Sequence, residues 1–489
     1  MHIVFAASEC VPFAKTGGLA DVVGALPPEL VKQGHEVTVY LPLYSGVKAQ
    51  IKSPIDGGWP YAVRSITIPF ESYNRFVGIV DGGRRDGVQY YFVDCPELFD
   101  RPGLYGTAAG DYPNNWERFG LFCRAVLEAT KLLGVPEIFH VHDWQAALVP
   151  VYLRTVFAHD PMLNRAGVVL TIHNAGYQGR FSPVTTERLL FPWEIFTMDK
   201  VEQFDNFNFL KGGLVYSDML TTVSRKYAEE IQTAEFGEKL EGVLHARAAD
   251  LVGILNGVDY AQWEPATDVN LAAHFSPDDL AGKQQCRADL LHVFGLEKAA
   301  DKTAVIGIVS RFATQKGFDF VAEIADKLVE RDVVVVALGS GELVFERFFR
   351  DWAFRNQGQV AVQIRYDEAL AHKIEAGSDM FLMPSRYEPC GLNQIYSLKY
   401  GTAPVVRATG GLDDTIEEWN PKQGTGTGFK FEGLNAWRLM DAIDRALAAF
   451  KDKKAWKKLM RNGMVRDFGW AQPAREYAKV YEEVTRRRI

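Results

Sequence analysis

Two glycine-rich turns lie far apart in this chain of 489 residues, and each is followed by one or two acidic residues and an apolar segment. The first is KTGGLADVVGALP, beginning at Lys15, and the second is TGGLDDTI, beginning at Thr409. Glycine lets backbone N–H groups converge on a ligand, and the start of a helix favours an anion. Both turns therefore suit a phosphate or diphosphate, with Lys15 adding a mobile charge. The alternative is a plain glycine turn with Asp21 as a first-turn helix charge.

A pair of cations follows the apolar run TAVIGIV, in the segment SRFATQKGFD. Arg311 and Lys316 lie on one loop there, at the expected carboxyl end of a strand. Two cations in that position could stabilise the negative charge of a leaving diphosphate. Solvated surface cations are the alternative, and for these two residues alone that is the commoner situation.

The stretch DMFLMPSRYEPCGLNQIYSLKYGTAPVV holds the densest set of candidates. A strand is predicted to end at Pro384, a loop to carry Glu388, Cys390 and Gly391, and a helix to begin near Leu392. The carboxylate could accept hydrogen bonds from sugar hydroxyls, while the helix N–H groups hold a phosphate. The alternatives are a helix-capping acid and a buried, apolar cysteine. No Cys–His arrangement is evident that would activate Cys390 as a nucleophile.

Two histidine motifs, HVHDW and TIHN, end predicted strands in the first half of the chain. They place His142, Asp143, His173 and Asn174 at strand ends, where a single histidine is more often structural than catalytic. Metal ligation by His140, His142, Asp143 and His173 is conceivable, but the fourth ligand is not obvious. We predict no metal site.

Alternating strands and helices must position these residues, and continuous apolar strands separated by helices indicate parallel sheets covered on both faces. We predict an α/β fold of two Rossmann-like halves facing each other across a deep cleft, with ligands at the carboxyl ends of the strands. The predicted strands are HIVFAA, EVTVYL, IFHVH, VVLTI, MLTTV, TAVIGIV, DVVVVAL, MFLMP and APVV, and the predicted helices lie near 117–133, 144–158, 317–331, 342–356 and 434–450.

Three segments are predicted along the chain. Residues 1–257 form the first Rossmann-like domain, and residues 258–469 form a linker followed by the second domain. The linker is predicted from the stretch between 257 and about 300, which is rich in Asp, Pro and Ala. Residues 470–489 read as an amphipathic C-terminal helix.

Composition excludes several classes of protein. A net charge of −8 argues against a nucleic-acid partner. No apolar run has the length of a membrane span, and the opening HIVFAAS reads as a strand, not a signal peptide. The cysteines are odd in number and scattered, which disfavours a disulfide framework or zinc site and favours the cytoplasm. They are Cys10, Cys95, Cys123, Cys286 and Cys390.

Taken together, the motifs resemble the bacterial glycogen synthase and plant starch synthase family, glycosyltransferase family 5. The resemblance rests on KTGGLADVVGALP, HVHDW, TIHN, GILNGVD, SRFATQKGFD, RYDEALAHKI, PSRYEPCGLNQ and YGTAPVVRATGGLDDT, in order along essentially the whole chain. It implies a GT-B fold whose C-terminal helix crosses back to the first domain. It also implies transfer of glucose from ADP-glucose to the non-reducing end of an α-1,4-glucan, with retention and without a metal or other cofactor.

The same resemblance implies roles for five catalytic residues. Arg311 and Lys316 would bind the diphosphate and stabilise it as it leaves, and Glu388 would hold hydroxyls of the donor glucose. His173 would sit beside the anomeric carbon, with its backbone carbonyl steadying positive charge there. Asp143 would lie in the acceptor region.

Substrate-binding residues are implied as well. The first turn would contact the donor, Tyr366 would lie against the adenine, and the second turn would cradle the distal phosphate. The backbone after Cys390 would hold the sugar and phosphate. The full set is Lys15, Gly18, Asp21, Asn174, Asn256, Tyr366, Cys390, Gly391, Leu392, Thr409, Gly410 and Gly411.

Two positions depart from related patterns. Tyr396 stands where the wider GT-B superfamily often has a second glutamate after Glu388, and this supports the narrower family. Arg365 stands before Tyr366 where the family usually has a small residue, and it could add charge near the nucleotide. No carboxylate is evident as a nucleophile for double displacement, so the sequence favours front-face attack.

Three other functions are compatible with parts of the sequence. A phosphorylase-like enzyme would share the fold but need pyridoxal phosphate on a lysine. A non-catalytic glucan-binding or regulatory protein would be expected to have lost some of Lys15, Arg311, Lys316 and Glu388. A dehydrogenase rests only on GSGELV, a weak half-match to a dinucleotide fingerprint. The residues themselves do not distinguish ADP-glucose from UDP-glucose, nor do they indicate oligomeric state, effectors or acceptor length.

Overall fold

The computed structural model describes residues 1–51, 59–107, 109–299 and 302–488. Within it the chain forms two compact units. Unit 1 comprises Met1–Val223, Ala228–Gly257 and the segment from Trp470 onward, and unit 2 comprises Ser224–Tyr227 and Val258–Gly469. Ile489, the last residue of the predicted C-terminal helix, lies outside the described residues.

Unit 1 is built on a nine-stranded sheet with the order β14-β13-β9-β8-β1-β2-β5-β4-β3. Neighbours are parallel from β14 to β5, whereas β4 and β3 add an antiparallel edge. The strands of unit 1 are β1 (His2–Ala6), β2 (Glu36–Pro42), β3 (Tyr61–Pro69), β4 (Asn74–Arg85), β5 (Val88–Asp94), β6 (Gly106–Thr107), β7 (Gly110–Asp111), β8 (Ile138–His142), β9 (Gly167–Ile172), β10 (Arg180–Phe181), β11 (Glu202–Gln203), β12 (Asn206–Asn208), β13 (Met219–Thr222) and β14 (Leu251–Gly253).

Helices connect these strands, as parallel neighbours require a crossover. The helices in this part of the chain are α1 (Gly18–Lys32), α2 (Ser45–Lys48), α3 (Pro96–Phe99), α4 (Asn115–Leu133), α5 (Asp143–Ala146), α6 (Leu148–Arg154), α7 (Thr185–Arg188), α8 (Phe209–Tyr216), α9 (Arg225–Glu230) and α10 (Glu241–Ala246). Two short 3-10 helices cover Trp193–Ile195 and Ala248–Asp250.

Unit 2 holds a six-stranded sheet in which all neighbours are parallel, with the order β17-β16-β15-β18-β19-β20. Its strands are β15 (Ala304–Val309), β16 (Val333–Leu338), β17 (Val360–Gln363), β18 (Met380–Met383), β19 (Ala403–Arg407) and β20 (Phe429–Phe431). Its helices are α11 (Ala281–Val293), α12 (Phe318–Leu328), α13 (Leu343–Arg355), α14 (Glu368–Gly377), α15 (Asn393–Lys399), α16 (Gly410–Thr415), α17 (Ala436–Lys451) and α18 (Lys453–Met464), and a 3-10 turn covers Thr314–Lys316.

Side-chain alternation along a strand explains why the central strands of unit 2 are apolar throughout. Val333 and Val335 pack into one hydrophobic cluster, whereas Val334 and Val336 pack into another. Successive side chains of a strand point to opposite faces, so a sheet covered on both faces needs an unbroken apolar run. The predicted α/β class with parallel sheets is confirmed.

The C-terminal helix α19 (Ala471–Arg488) packs in unit 1, where it contacts β9 and α1. The buried Tyr481 hydroxyl lies 2.8 Å from His140 Nδ1 in β8. Arg488 forms an ion pair with Asp218 at 2.5 Å. The tail from Trp470 is therefore part of the first compact unit despite its place in the sequence.

All nine predicted strands are present, but two predictions need correction. The helix predicted near 144–158 is broken into α5 and α6 and ends at Arg154. The predicted linker contains α11, which packs on α14 and buries Lys283. The Lys283 ammonium donates to Ala376 O and Tyr400 O, so a charged residue of the predicted linker belongs to the interior of unit 2.

None of the helices in the described part of the chain combines the length and low polarity needed to span a bilayer.

Candidate active site

The first glycine turn is anchored by a buried carboxylate, Glu9, three residues beyond the end of β1. Glu9 Oε2 accepts hydrogen bonds from Thr16 N at 2.5 Å and Gly17 N at 3.1 Å. Its Oε1 accepts the Thr16 hydroxyl at 2.6 Å. Two of the backbone N–H groups expected to meet an anion are thus paired within the protein. The Gly18 N–H forms no hydrogen bond with any described residue.

Tyr105 braces the same carboxylate from another segment. Its hydroxyl donates to Glu9 Oε1 at 2.6 Å and lies 2.7 Å from Ser8 Oγ. Burial raises the pKa of Tyr105 well above its ordinary value, so the phenol keeps its proton and acts as the donor to Glu9. The position of the turn is set by this network.

The glycines of the first turn are not required by their surroundings. A Cβ placed on Gly17 or Gly18 would meet no atom of the described residues within 4 Å, and neither residue has a left-handed φ. Lys15 and Asp21, both predicted donor contacts, form an ion pair at 2.7 Å in which each side chain is partly exposed. A pair of this kind contributes at most about 1 kcal/mol to stability, so it leaves Lys15 available to a ligand.

The structure brings HVHDW and TIHN together at the ends of the neighbouring strands β8 and β9. Asp143 Oδ1 accepts the His173 backbone N–H at 2.7 Å, and the Asn174 backbone also bonds to this carboxylate. Asp143 adopts a left-handed φ of 53°, which a short polar side chain tolerates. Burial raises the pKa of Asp143 to about 7, and the nearby negative charge of Glu9 adds to this. Asp143 therefore holds the backbone of the predicted catalytic histidine.

Three histidines form a row at these strands, in which His140 and His142 are buried and His173 is partly buried. His142 Nδ1 lies 3.0 Å from His173 Nε2, and His140 Nε2 lies 2.7 Å from Thr171 Oγ1. Burial lowers the pKa of all three, to about 3 for His173, so each ring is neutral. Among the described residues, no group of three or more His, Cys, Asp or Glu side chains is arranged to hold a metal ion.

The two predicted asparagines of unit 1 differ in their surroundings. Asn174 Oδ1 accepts the Gly176 N–H at 2.9 Å, which shapes the loop after His173. Asn256 is buried, and its Oδ1 has no hydrogen-bond partner among the residues described. A buried acceptor without a partner is uncommon and marks a position where a ligand group could donate.

In unit 2 the predicted cation and carboxylate meet directly. Lys316 Nζ lies 2.6 Å from Glu388 Oε2, and the Ser385 hydroxyl donates to the same oxygen at 3.0 Å. The Glu388 side chain is only 7% exposed. Arg311 is exposed, and its guanidinium forms no hydrogen bond or ion pair with the part of the chain described. The loop after β15 thus carries one cation that neutralises Glu388 and one whose side chain has no partner in the described part of the chain.

Close backbone contact explains why these loops need glycine. Gly317 has a φ of 72°, and a Cβ there would lie 2.0 Å from Pro384 O. The Arg386 N–H donates to Gln315 O at 2.8 Å across the same contact. β15 and β18 are neighbours in the sheet, so the loops that follow them pack side by side and bring Lys316 to Glu388.

The second glycine turn packs on the Glu388 loop. A Cβ on Gly410 would lie 2.0 Å from Glu388 O, and one on Gly411 would lie 2.0 Å from Cys390 O. The Gly411 N–H donates to Glu388 O at 3.1 Å, so it too is paired within the protein. Thr409 is buried and precedes the first residue of α16.

The residues after Glu388 are organised around one buried amide. Gln394 Nε2 donates to Cys390 O at 3.0 Å and to Gly391 O at 3.1 Å. Gly391 has a φ of 70°, and a Cβ there would lie 2.5 Å from Gln394 Oε1. Leu392 immediately precedes α15. The predicted sugar-binding backbone is therefore a tight turn stabilised by the buried Gln394 side chain.

Tyr366, the predicted adenine contact, is 82% exposed in the loop after β17. Its neighbour Arg365 forms an ion pair with Asp367 at 2.8 Å and a hydrogen bond with Gln363 at 3.0 Å. The extra charge of Arg365 is thus compensated locally, while the Tyr366 ring remains accessible for stacking.

Glu9, Tyr105 and Trp263 are not singled out by the sequence patterns. Tyr396 stacks on Trp263 at 3.9 Å between ring centroids, and Trp263 stacks on His372 at 3.6 Å. Glu9 could have been suspected, because it is an acid inside an otherwise apolar stretch after a buried strand. Tyr105 and Trp263 could not have been identified from local sequence, because the residues they contact are far away in the chain.

Comparison with known proteins places the chain in a family. A family model described as "Starch synthase catalytic domain" matches residues 2–246, and one described as "Glycosyl transferases group 1" matches residues 296–462. A protein named glycogen synthase from Koribacter versatilis is 59% identical over 99% of this chain and 98% of its own length. One from Syntrophotalea carbinolica, also named glycogen synthase, is 45% identical over 99% of both chains.

A solved structure gives the same assignment. The catalytic domain of starch synthase IV from Arabidopsis thaliana, bound to ADP and acarbose, matches with a TM-score of 0.86 and 31% identity over 99% of both chains. The match confirms the GT-B fold expected from the resemblance. The chain therefore belongs to the starch and glycogen synthase family of glycosyltransferases.

Proposed function

We propose that this glycosyltransferase is a glycogen synthase that transfers glucose from ADP-glucose to the non-reducing end of an α-1,4-glucan, with retention and release of ADP. The observation that carries the proposal is the Lys316–Glu388 pair, with Arg311 exposed on the same loop as Lys316 and unpaired among the described residues. An exposed arginine on the loop whose lysine neutralises a carboxylate suits a ligand that combines a diphosphate with a sugar. ADP in the related starch synthase structure and the names of the relatives favour the adenine nucleotide and the glucan.

The groups of unit 2 suggest a division of labour on the donor. Arg311 and Lys316 bind the diphosphate, and Glu388 accepts hydrogen bonds from the donor-glucose hydroxyls. Thr409–Gly411 and the turn after Cys390 hold phosphate and sugar through their backbone. Tyr366, accessible on its loop, stacks on the adenine. In unit 1, Lys15 and Gly18 of the open turn contact the donor.

The remaining groups of unit 1 serve the sugar and the acceptor. We propose that His173 lies beside the anomeric carbon, with Asn174 and Asn256 as further hydrogen-bonding groups. Asp143 positions His173 and borders the acceptor region. The buried Asn256 Oδ1 gains a partner when a hydroxyl donates to it.

Front-face displacement accounts for retention without a protein nucleophile. The bond between the anomeric carbon and the diphosphate oxygen breaks as the acceptor hydroxyl oxygen forms a new bond on the same face. The hydroxyl proton passes to the leaving phosphate, whose charge Arg311 and Lys316 stabilise. Glu388 is engaged by Lys316 and Ser385, so it acts on hydroxyls and does not attack carbon. A trapped glucosyl-enzyme adduct would contradict this single-step route.

The function is tested by measuring ADP and UDP release in parallel from ADP-glucose and UDP-glucose, with and without a glycogen primer. We expect primer-dependent ADP release with little UDP. No release from either donor would overturn the proposal.

We also propose that no metal or other cofactor takes part and that the enzyme acts in the cytoplasm. Full activity after treatment with EDTA is the expected result, and loss that Mg²⁺ restores would contradict the metal-free proposal.

A further inference from the structure

The ring of His173 is held by a second histidine for which the chemistry above gives no role. His142 Nδ1 lies 3.0 Å from His173 Nε2. Because burial keeps both rings neutral, each carries one proton on one of its two nitrogens. One nitrogen of the pair must donate and the other must accept. The tautomer of His173 is therefore tied to the tautomer of His142.

The other nitrogen of His142 decides between the two arrangements. His142 Nε2 is buried and has no hydrogen-bond partner among the described residues. If His173 donated, the proton of His142 would have to sit on Nε2, as a buried N–H without a protein acceptor. If His142 donates from Nδ1, its Nε2 keeps only a lone pair. Buried N–H donors without partners are rarer than unsatisfied acceptors, so the second arrangement is favoured.

The His142 ring is fixed by its neighbours. Phe5 stacks on it with ring centroids 5.4 Å apart, and the His140 ring lies 4.2 Å away. His140 is itself held by Tyr481 and Thr171, at 2.8 and 2.7 Å. A ring packed in this way is a preorganised donor for the residue beside it.

We propose that His142 is a positioning residue that donates from Nδ1 to His173 Nε2 and so fixes His173 with its proton on Nδ1. His173 Nδ1 bonds to no described residue, so His173 presents an N–H donor that suits a hydroxyl oxygen of the sugar. Asp143 fixes the same residue through its backbone N–H. The identity of the ligand as a sugar rests on the proposed function, whereas the tautomer does not.

The tautomer is tested on the whole protein labelled with ¹⁵N-histidine. Long-range ¹H–¹⁵N spectra distinguish the protonated nitrogen from the lone-pair nitrogen in each neutral ring. We expect His173 to be protonated at Nδ1 and to lose this preference in His142→Leu. His142→Asn should restore it, because the asparagine amide can donate from nearly the same place. A lone pair on His173 Nδ1 in the wild-type protein would overturn the proposal.

A matched control separates this effect from general disturbance of the row of histidines. His140→Asn changes a buried histidine of the same strand that makes no hydrogen bond to His173, so the His173 tautomer should stay as in the wild type. If His142→Leu does not fold, the wild-type spectrum and His142→Asn still decide the tautomer. A His173 spectrum unchanged in folded His142→Leu would also overturn the proposal.

Kinetics supply a second readout. His142→Leu should lower kcat/KM for glucosyl transfer about tenfold, the equivalent of one hydrogen bond, and His142→Asn should recover most of it. Wild-type kcat/KM in folded His142→Leu would contradict the positioning role. If the wild-type protein transferred no glucose, the proposed function would fail, and the spectra would still test the tautomer.

Discussion

The two glycine turns look alike in sequence and differ in what surrounds them. In the first, a Cβ on Gly17 or Gly18 would have no atom within 4 Å in the part of the chain that the structure describes. In the second, a Cβ on Gly410 or Gly411 would lie 2.0 Å from a backbone oxygen of the Glu388 loop. The first turn is anchored by hydrogen bonds to a side chain, Glu9, whereas the second packs against the backbone of the Glu388 loop.

This difference separates two reasons for a glycine. At the second turn the fold itself excludes a side chain, and the close contact fixes the loop that carries Glu388. At the first turn the fold makes no such demand, so the small size of Gly18 suits the close approach of a ligand. A shared motif therefore does not establish a shared physical role.

The largest effect on stability and turnover should come from removing Lys316, the cation paired with Glu388 on the loop against which the second turn packs. Lys316→Ala leaves the buried Glu388 carboxylate without its cation, which costs about 3–5 kcal/mol of stability. Loss of a group that stabilises developing charge should also lower turnover by about 10²–10³-fold. Thermal unfolding and initial rates of ADP release measure the two effects.

The first turn provides the control for that variant. Lys15→Ala removes a partly exposed ion pair and should change stability by less than about 1 kcal/mol. Near wild-type turnover of Lys316→Ala would show that Lys316 does not stabilise the leaving group.

A methyl group on the second turn should be the next most damaging change. Gly411→Ala places a Cβ 2.0 Å from Cys390 O, and backbone must move to accept it. Overpacking of this kind costs about 3 kcal/mol, equivalent to a drop of about 6–12 °C in the thermal midpoint of a unit this size. An unchanged midpoint would show that the second turn is not held by backbone packing.

Removing the anchor of the first turn should have a smaller effect on stability. Glu9→Ala leaves the Thr16 and Gly17 N–H groups without their acceptor, at a cost of about 2 kcal/mol. The displaced turn should raise KM for the donor more than it lowers kcat. Tyr105→Phe removes one hydrogen bond to Glu9 and should follow the same direction at about half the stability cost. An unaltered KM in Glu9→Ala would contradict the role of Glu9 in placing the turn.

The stability of unit 1 should depend on pH through Asp143, whose pKa is raised by burial and by the charge of Glu9, the anchor of the first turn. The folded pKa of Asp143, about 7, is raised above the ordinary 3.8, so the folded protein binds this proton more tightly than the unfolded chain does. The resulting stabilisation is complete below about pH 4 and is lost as the pH rises through 7. Asparagine mimics the neutral carboxyl group, so the thermal midpoints of wild type and Asp143→Asn, compared from pH 4 to 8, should lie closest at pH 4 and diverge as the pH rises and the wild type loses stability. A difference independent of pH would contradict this assignment.

Local patterns were sufficient for the parallel sheets and for the loops at their carboxyl ends. Continuous apolar runs identified strands such as β15 and β16, because both faces of those strands are covered. The patterns did not predict the surroundings of residues whose contacts are distant in the sequence. Lys283 in the predicted linker is buried because carbonyls of α14 and of the segment after α15 surround its ammonium. Neither the Glu9 anchor nor the stack of Tyr396, Trp263 and His372 is encoded in any short stretch.

The most direct test of the contrast between the turns is primer-dependent ADP release by Gly18→Ala, measured beside the wild type with the thermal midpoint of each. The new methyl group meets no atom within 4 Å among the described residues, so the midpoint should be unchanged or slightly raised. If a donor phosphate approaches Gly18 closely, kcat/KM should fall by about tenfold or more. Wild-type kcat/KM with an unchanged midpoint would contradict the claim that the first turn is kept open for the donor.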